Sequence, residues 1–313
     1  MNRVSDIIHL KCAHSQNILG QEIGVAVLDT GIIPHPDFVN HGNRIVAFQD
    51  FVNGNSKMYD DNGHGTHVSG ILGGDGCASK GLYCGVAPKC NIIAVKVLNY
   101  KGNGDIVNVV AGLHWVIENK EKYNIRVVNI SVGTTAKSVI NEESELIRAV
   151  NEVWDQNIIV VVAAGNGGPH PKTIGAPGIS RKVITVGASD DDIAVDLMGK
   201  NAKDYSGRGP TQSCIKKPDV VAPGSRIVSC SMMKRQGGMF SFRQTNLNYY
   251  TEKSGTSMST PVVSGAIALL LSKSPELSTR DVKMKLREFS DDLGYPHGKQ
   301  GWGRLNIEKL LPL

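Results

Sequence analysis

Long apolar runs are missing from this chain. No stretch reaches the ~18 consecutive residues that a bilayer-spanning helix needs, so no membrane partner is expected. Met1 to Lys11 lacks the charged start, apolar segment and small-residue cleavage site of a signal peptide. With Met1 as the native start, the sequence predicts a cytoplasmic protein; with a trimmed start it allows a secreted one. No Cys-x-x-Cys pair occurs among Cys12, Cys77, Cys84, Cys90, Cys214 and Cys230, which argues against zinc. These thiols are expected to be reduced, because a chain of 313 residues buries a large core without covalent staples. Cys77 and Cys84, which flank one glycine-rich loop, are the pair that would oxidise. Basic blocks are absent too. The net charge of +5 arises from interspersed acids and bases, which makes nucleic acid a poor partner. Neither repeats nor a linker rich in Pro, Gly and Ser divides the sequence. Aromatic residues make up only 5%, against 35 glycines, a composition suited to close strand–helix packing and tight turns.

What is present is alternation. Apolar runs, several rich in β-branched residues, at Gly24–Asp29, Arg44–Phe48, Ile92–Val97, Val127–Ser131, Ile158–Ala163 and Val183–Ala188 read as strands buried on both faces, the habit of parallel sheets. Helical segments are read at Gly65–Leu72, Ile106–Asn119, Glu142–Gln156, Ser257–Ser272 and Ser278–Phe289. In the second, Ile106, Val109, Val110, Leu113 and Ile117 recur at helical spacing; in the last, Ser278 and Asp281 come close to a capping box. The pattern predicts an α/β fold in a single domain over residues 21–313: a doubly wound, mainly parallel sheet with helices on both faces. Residues 1–20 read as an N-terminal extension. The polar, irregular segment Ser231–Lys253, with Met239-Phe240-Ser241-Phe242 in its middle, reads as a short hairpin insertion.

Chemistry concentrates in three places. Ser257 lies in Gly255-Thr256-Ser257-Met258-Ser259-Thr260-Pro261, a glycine turn opening a long apolar stretch. Its hydroxyl would sit at a positive helix end beside a sharp bend, a good place for a nucleophile. The plainer role is a helix N-cap. A nucleophilic serine needs a base, and the base needs an orienting group. His64, in Asn62-Gly63-His64-Gly65-Thr66-His67, titrates near neutral pH and can serve as that base. A structural histidine is the alternative; a metal pair with His67 lacks the His-Glu-x-x-His pattern. Asp29 ends the run Val25-Ala26-Val27-Leu28 ahead of Thr30-Gly31, where open α/β sheets place working groups. Asp-Thr-Gly is also a turn signal and an aspartic-peptidase motif, though a single copy would need a homodimer to supply two carboxylates.

Asp-Thr-Gly, His-Gly-Thr-His-Val-Ser-Gly and Gly-Thr-Ser-Met-Ser-Thr-Pro, in that order, resemble the three signatures of the subtilisin-like serine peptidases. Val161-Val162-Ala163-Ala164-Gly165-Asn166 resembles a fourth segment of that family. The resemblance implies a serine endopeptidase acting on polypeptides through an acyl-enzyme. Asp29, His64 and Ser257 would form the triad, and Asn166 would donate to the oxyanion. It also implies that Ser131-Val132-Gly133 pairs with extended substrate as an added strand, with Gly102 and Gly104 on the facing edge. Gly175, in Thr173-Ile174-Gly175-Ala176-Pro177-Gly178, would floor the first specificity pocket. A glycine floor, with uncharged Gly167 after Asn166, predicts large apolar side chains before the cleaved bond. The Ala176–Pro177 bond is expected to be cis.

Secreted members of this family bind calcium through the Asp of a His-Pro-Asp segment and an Asn-rich loop. His35-Pro36-Asp37 is present, but the loop from Gly73 to Cys84 lacks the Asn cluster and carries Lys80. Calcium takes six to eight oxygens. No cofactor is expected for the chemistry, and the usual calcium site is in doubt; Asp37 and Asp75 remain as candidates for another metal. This loop resembles intracellular or clostridial-type subtilases more than secreted ones. The family's folding chaperone domain has no counterpart in residues 1–20, which could themselves lie over the groove. Two other classes stay open. A catalytically silent binding or regulatory relative is disfavoured by the intact Asp29, His64, Ser257 and Asn166. A different acyl transfer on the same site would share the intermediate. Oligomeric state is not legible.

Overall fold

A computed structural model describes residues 1–133, 143–197, 199–232, 235–236 and 246–311. The apolar runs become strands β1 (Gly24–Asp29), β2 (Ile45–Asp50), β3 (Asn91–Lys96), β4 (Ile125–Ile130), β5 (Ile159–Ala163) and β6 (Ile184–Ala188). Val25 to Leu28 and Ile159 to Val162 are at most 2% exposed, so water reaches neither face of the sheet centre. Later strands are shorter. β7 (Val195–Leu197) and β8 (Lys200–Ala202) pair with each other, while β9 (Val220–Ala222) joins the main sheet. That sheet has the order β2-β3-β1-β4-β5-β6-β9, parallel throughout. Winding reverses around β1, which lies between β3 and β4. Such a switch opens a crevice beyond the carboxyl ends of the strands, and Asp29 is the last residue of β1.

The helices are α1 (Asn2–Ile7), α2 (Lys11–Ser15), α3 (Pro36–Val39), α4 (His64–Gly73), α5 (Ile106–Glu118), α6 (Glu145–Asp155), α7 (Thr256–Lys273), α8 (Thr279–Phe289), α9 (His297–Gln300) and α10 (Ile307–Leu310). Helices α4 and α7 pack on each other and against β1, and α5 and α6 form a second pair against β1 and β5. Every residue of α7 from Met258 to Leu271 is buried, as expected of a helix apolar all round. Ser278 and Asp281 form the full capping box at the start of α8. Helix α6 begins at Glu145; residue 142, where the sequence reading started it, lies outside the described residues.

The expected insertion is a hairpin, but it starts earlier than Ser231. β10 (Ile227–Cys230) runs antiparallel to β13 (Tyr250–Lys253), and between them β11 (Arg235–Gln236) pairs with β12 (Asn246–Leu247). Met239–Phe242 lies outside the described residues. The first residues do not cover the crevice. Met1, Val4, Ile8, Leu10 and Ala13 join the main core, and the Ile307 N–H donates to the Ile8 carbonyl at 2.9 Å. All six cysteines are unpaired. Among the described residues no helix is long and apolar enough to cross a membrane.

Candidate active site

His64 opens α4, and the start of that helix is clamped to the end of β1. Asp60 accepts from the Gly63 and Thr66 N–H groups at 2.7 and 2.9 Å, and from the Thr30 and Thr66 hydroxyls at 2.8 and 2.7 Å. Burial disfavours the charge on Asp60, yet these bonds hold it below the usual carboxylate range. A Cβ on Gly65 would lie 2.2 Å from the Gly31 carbonyl oxygen, so only glycine lets the helix approach the strand end this closely. The result brings His64 Nδ1 to 2.7 and 2.9 Å from the two oxygens of Asp29, itself 1% exposed. An ionised carboxylate only accepts, so Nδ1 carries the proton and Nε2 is left to exchange one. Burial opposes charge on the imidazole. The Asp29 charge and hydrogen bond outweigh it, Asp60 assists and Lys253 opposes, so His64 is held above its ordinary value.

Ser257 is the second residue of α7. Gly255 precedes the helix at φ +134°, and a Cβ there would press to 3.1 Å on the Asn166 amide nitrogen. Asn166 Oδ1 accepts from Thr256 N and Oγ1 at 3.0 and 3.1 Å. With that oxygen engaged, the Asn166 NH2 group is the end left to donate. The Ser257 N–H sits in the first turn, where no intrahelical acceptor exists. Ser257, His64 and Asn166 all face one cavity of about 550 Å³. The serine hydroxyl and the imidazole are not directly bonded, a common state of sites without substrate.

Of the residues expected to bind substrate, Gly102, Ser131, Val132 and Gly133 border this cavity, and Gly104 and Gly175 do not. Ser131, Val132 and Gly133 form one wall and Gly102 the other. Ser131 Oγ accepts from Asn129 Nδ2 at 2.9 Å inside the core, which ties its side chain to the strand behind the cavity. Gly104 bridges to Leu98 and borders an adjoining apolar hollow of about 330 Å³ with Ile106, Val109 and Leu146. Gly175 does not border the cavity. Its N–H donates to the Ala164 carbonyl at 3.1 Å, and Gly165, Gly167 and Thr173 form the wall in its place. The Ala176–Pro177 bond is cis.

His67 is buried, with Nε2 at 3.1 Å from both the Ile227 and Thr251 carbonyls. Burial, then Lys253 and His64, pushes it down to about 3, so it stays neutral and ties α4 to the hairpin. Sequence reading missed Lys96 and Asp60. The fully buried Lys96 ammonium donates to the Thr30 carbonyl, Asp61 and the Leu98 carbonyl at 2.7, 2.8 and 2.9 Å. It thereby joins the loop after Asp29 to the edge at Leu98–Gly104. The strand pattern ending at Val97 absorbed this residue and gave no sign of its charge.

The two acids considered for metal part company. Asp37 is fully buried and receives the Tyr250 hydroxyl at 3.0 and 2.8 Å, the Ala78 N–H at 2.9 Å and the Cys230 thiol at 3.6 Å. Hydrogen donors occupy this carboxylate where calcium would need further oxygens, so the residues do not fit that ion. Asp75 Oδ2 lies 2.8 Å from Nδ1 of the exposed His41, with the Cys77 thiol 3.9 Å from Nε2. That mixed set of oxygen, nitrogen and sulfur does not suit calcium either.

Residues 20–303 match the Peptidase_S8 family, described as the Subtilase family. The chain is 40% identical over 304 residues to "Serine protease AprX" of Bacillus subtilis (strain 168), covering 96% of this chain and 68% of that protein. It is 34% identical over 299 residues to "Subtilisin DY" of Bacillus licheniformis, covering 94% and 92%. A cold adapted subtilisin-like serine proteinase has a similar crystal structure, with a TM-score of 0.71 at 28% identity over 93% of this chain and 90% of that one.

Proposed function

The chain belongs to the subtilase family and is a serine-type peptidase; from that premise we propose that Asp29, His64 and Ser257 cut peptide bonds as a triad, through an acyl-enzyme. Ser257 Oγ attacks the peptide carbonyl while His64 Nε2 takes its proton. Asp29 holds the ring by Nδ1–H and offsets the imidazolium charge. The oxyanion receives the Asn166 amide and the Ser257 N–H. His64 then gives its proton to the departing amine, and water repeats the sequence on the acyl group. The observation that carries this reading is the Asp29–His64 pair at 2.7 Å opening onto the same cavity as Ser257 and a pre-oriented Asn166. Extended substrate would run between Ser131–Gly133 and Gly102. The uncharged wall at Gly165, Gly167 and Thr173 supports a large apolar residue before the cleaved bond.

Labelling with a fluorophosphonate, followed by peptide mapping, tests the nucleophile. Modification is expected at Ser257 alone and lost in Ser257→Ala, with peptide turnover down by ~10⁶ in that variant. Asn166→Ala should cost less, about 10²–10³ in kcat, a magnitude carried over from subtilisin. Folded wild-type protein that resists the label would replace this reading with a catalytically silent relative.

A further inference from the structure

One side of His64 remains unassigned. The groove described above takes the acyl half of a peptide. His64 must hand its proton to the departing amine, so the other half of the substrate has to lie beyond the imidazole. A second cavity of about 200 Å³ opens beside Gly63, the residue before His64. It shares Asn62 with the groove, continues along Gly63, and is walled by Met232, Thr251 and Lys253 of the β10–β13 hairpin region.

Lys253 is the only charged residue bordering this cavity among the described residues. Its side chain is half-buried, and its ammonium makes no ion pair or hydrogen bond among them. Glu252, next along β13, is exposed, and strand alternation turns it to the opposite face. The groups acting on His64 are Asp29 and Asp60, which favour its charge, and Lys253, which opposes it; His67 stays neutral. An unpaired cation beside a base that must become cationic works against the step it adjoins. A carboxylate between the two would remove that repulsion at the moment His64 is protonated, which favours the transition state over the ground state.

We propose that this cavity receives the residue on the leaving side of the cleaved bond, and that Lys253 selects aspartate or glutamate there. The proposal rests on the assignment of Ser257 and His64 as nucleophile and base. A half-buried charge pair lies between exposed and fully desolvated ones in strength, so the preference should be roughly tenfold in kcat/KM over alanine. It should weaken as salt is raised.

The experiment uses peptides identical up to the cleaved bond and carrying Glu, Ala or Lys immediately after it. Wild type is expected to rank them Glu, Ala, Lys. Lys253→Met should flatten the ranking, and Lys253→Glu should invert it. Each ratio is taken within one enzyme, so a change in folded fraction cancels. On the alanine peptide, Lys253→Met should also move the acid limb of the kcat/KM profile to higher pH, because only burial then opposes the action of Asp29 and Asp60 on His64. A purely structural lysine would move neither readout. Wild type indifferent to the leaving residue, or a ranking unchanged in Lys253→Glu, overturns the proposal while fluorophosphonate labelling of Ser257 leaves the triad standing. An unlabelled wild type overturns both.

Discussion

His64 is pulled in opposite directions, and the outcome fixes how the enzyme should respond to pH. Burial and Lys253 disfavour its charge, while Asp29 and Asp60 favour it and prevail. Only the neutral imidazole can accept the Ser257 proton, so kcat/KM should rise with pH through a midpoint above the ordinary 6.5. Asp29→Asn should move that midpoint down and lower kcat by ~10⁴. A wild-type midpoint at or below the ordinary value would contradict the balance of charges described here. Stability has the reverse dependence. The imidazolium–Asp29 pair stabilises the fold below the ordinary histidine value, and the contribution is lost as pH rises through the raised one. At this scale the motif residues were legible because each reactive type stood in a distinctive setting: Asp29 at a strand end, His64 between glycines, Ser257 at a glycine-led helix start. Asp60, Lys96 and Lys253 were not. Asp60 and Lys96 each reach Thr30, 30 and 66 positions away, and Lys253 acts on His64 from a distant part of the chain; no local pattern marks such pairings.

Between elements, the groove edge is braced from behind. Ser264 on α7 donates to Asn129 Oδ1 at 2.9 Å, and Asn129 Nδ2 donates to Ser131 Oγ at 2.9 Å, all within the core. The helix that carries Ser257 is thus bonded to the end of the strand proposed to pair with substrate. Asn129→Ala leaves buried hydroxyls short of a partner and should cost about 1–3 kcal/mol, read as a lower denaturant midpoint. It should raise KM for peptides more than it lowers kcat, since Ser131 moves while Ser257 and His64 stay. Equal losses in kcat and kcat/KM, with KM unchanged, would show that the brace does not position the edge. The long elements were legible from periodicity, and the start of α8 from Ser278 and Asp281. The three-residue strands β7, β8 and β9 were too short to show a period. The hairpin boundary was set by the pairing of Ile227 with Lys253, which polar composition after Ser231 does not reveal.

Taken whole, the molecule holds more of its chain in the core than its sequence suggested. Residues 1–20 read as an extension because the motifs that carry the family resemblance begin only after them. Ile8 is nevertheless fully buried, and its carbonyl anchors Ile307 near the other end of the chain. Ile8→Ala should destabilise the fold by about 2–5 kcal/mol, as large-to-small changes in packed cores do. A thermal melt would report it, and turnover per folded molecule should stay as it was. An unchanged melting temperature would return this segment to the role of a dispensable extension.

An endopeptidase shares its solution with copies of itself, and each copy is a target for the others. Under the proposed mechanism Ser257 cuts chain that can be drawn out as a strand, and α7 offers none from Met258 to Leu271, where every residue is buried. The central strands β1, β3, β4 and β5 are flanked on both edges by neighbours. Self-digestion must therefore begin at the rim, in exposed turns such as Asn53–Lys57 or Lys80–Leu82, and the scaffold beneath the catalytic groups is the last part of the molecule to be consumed.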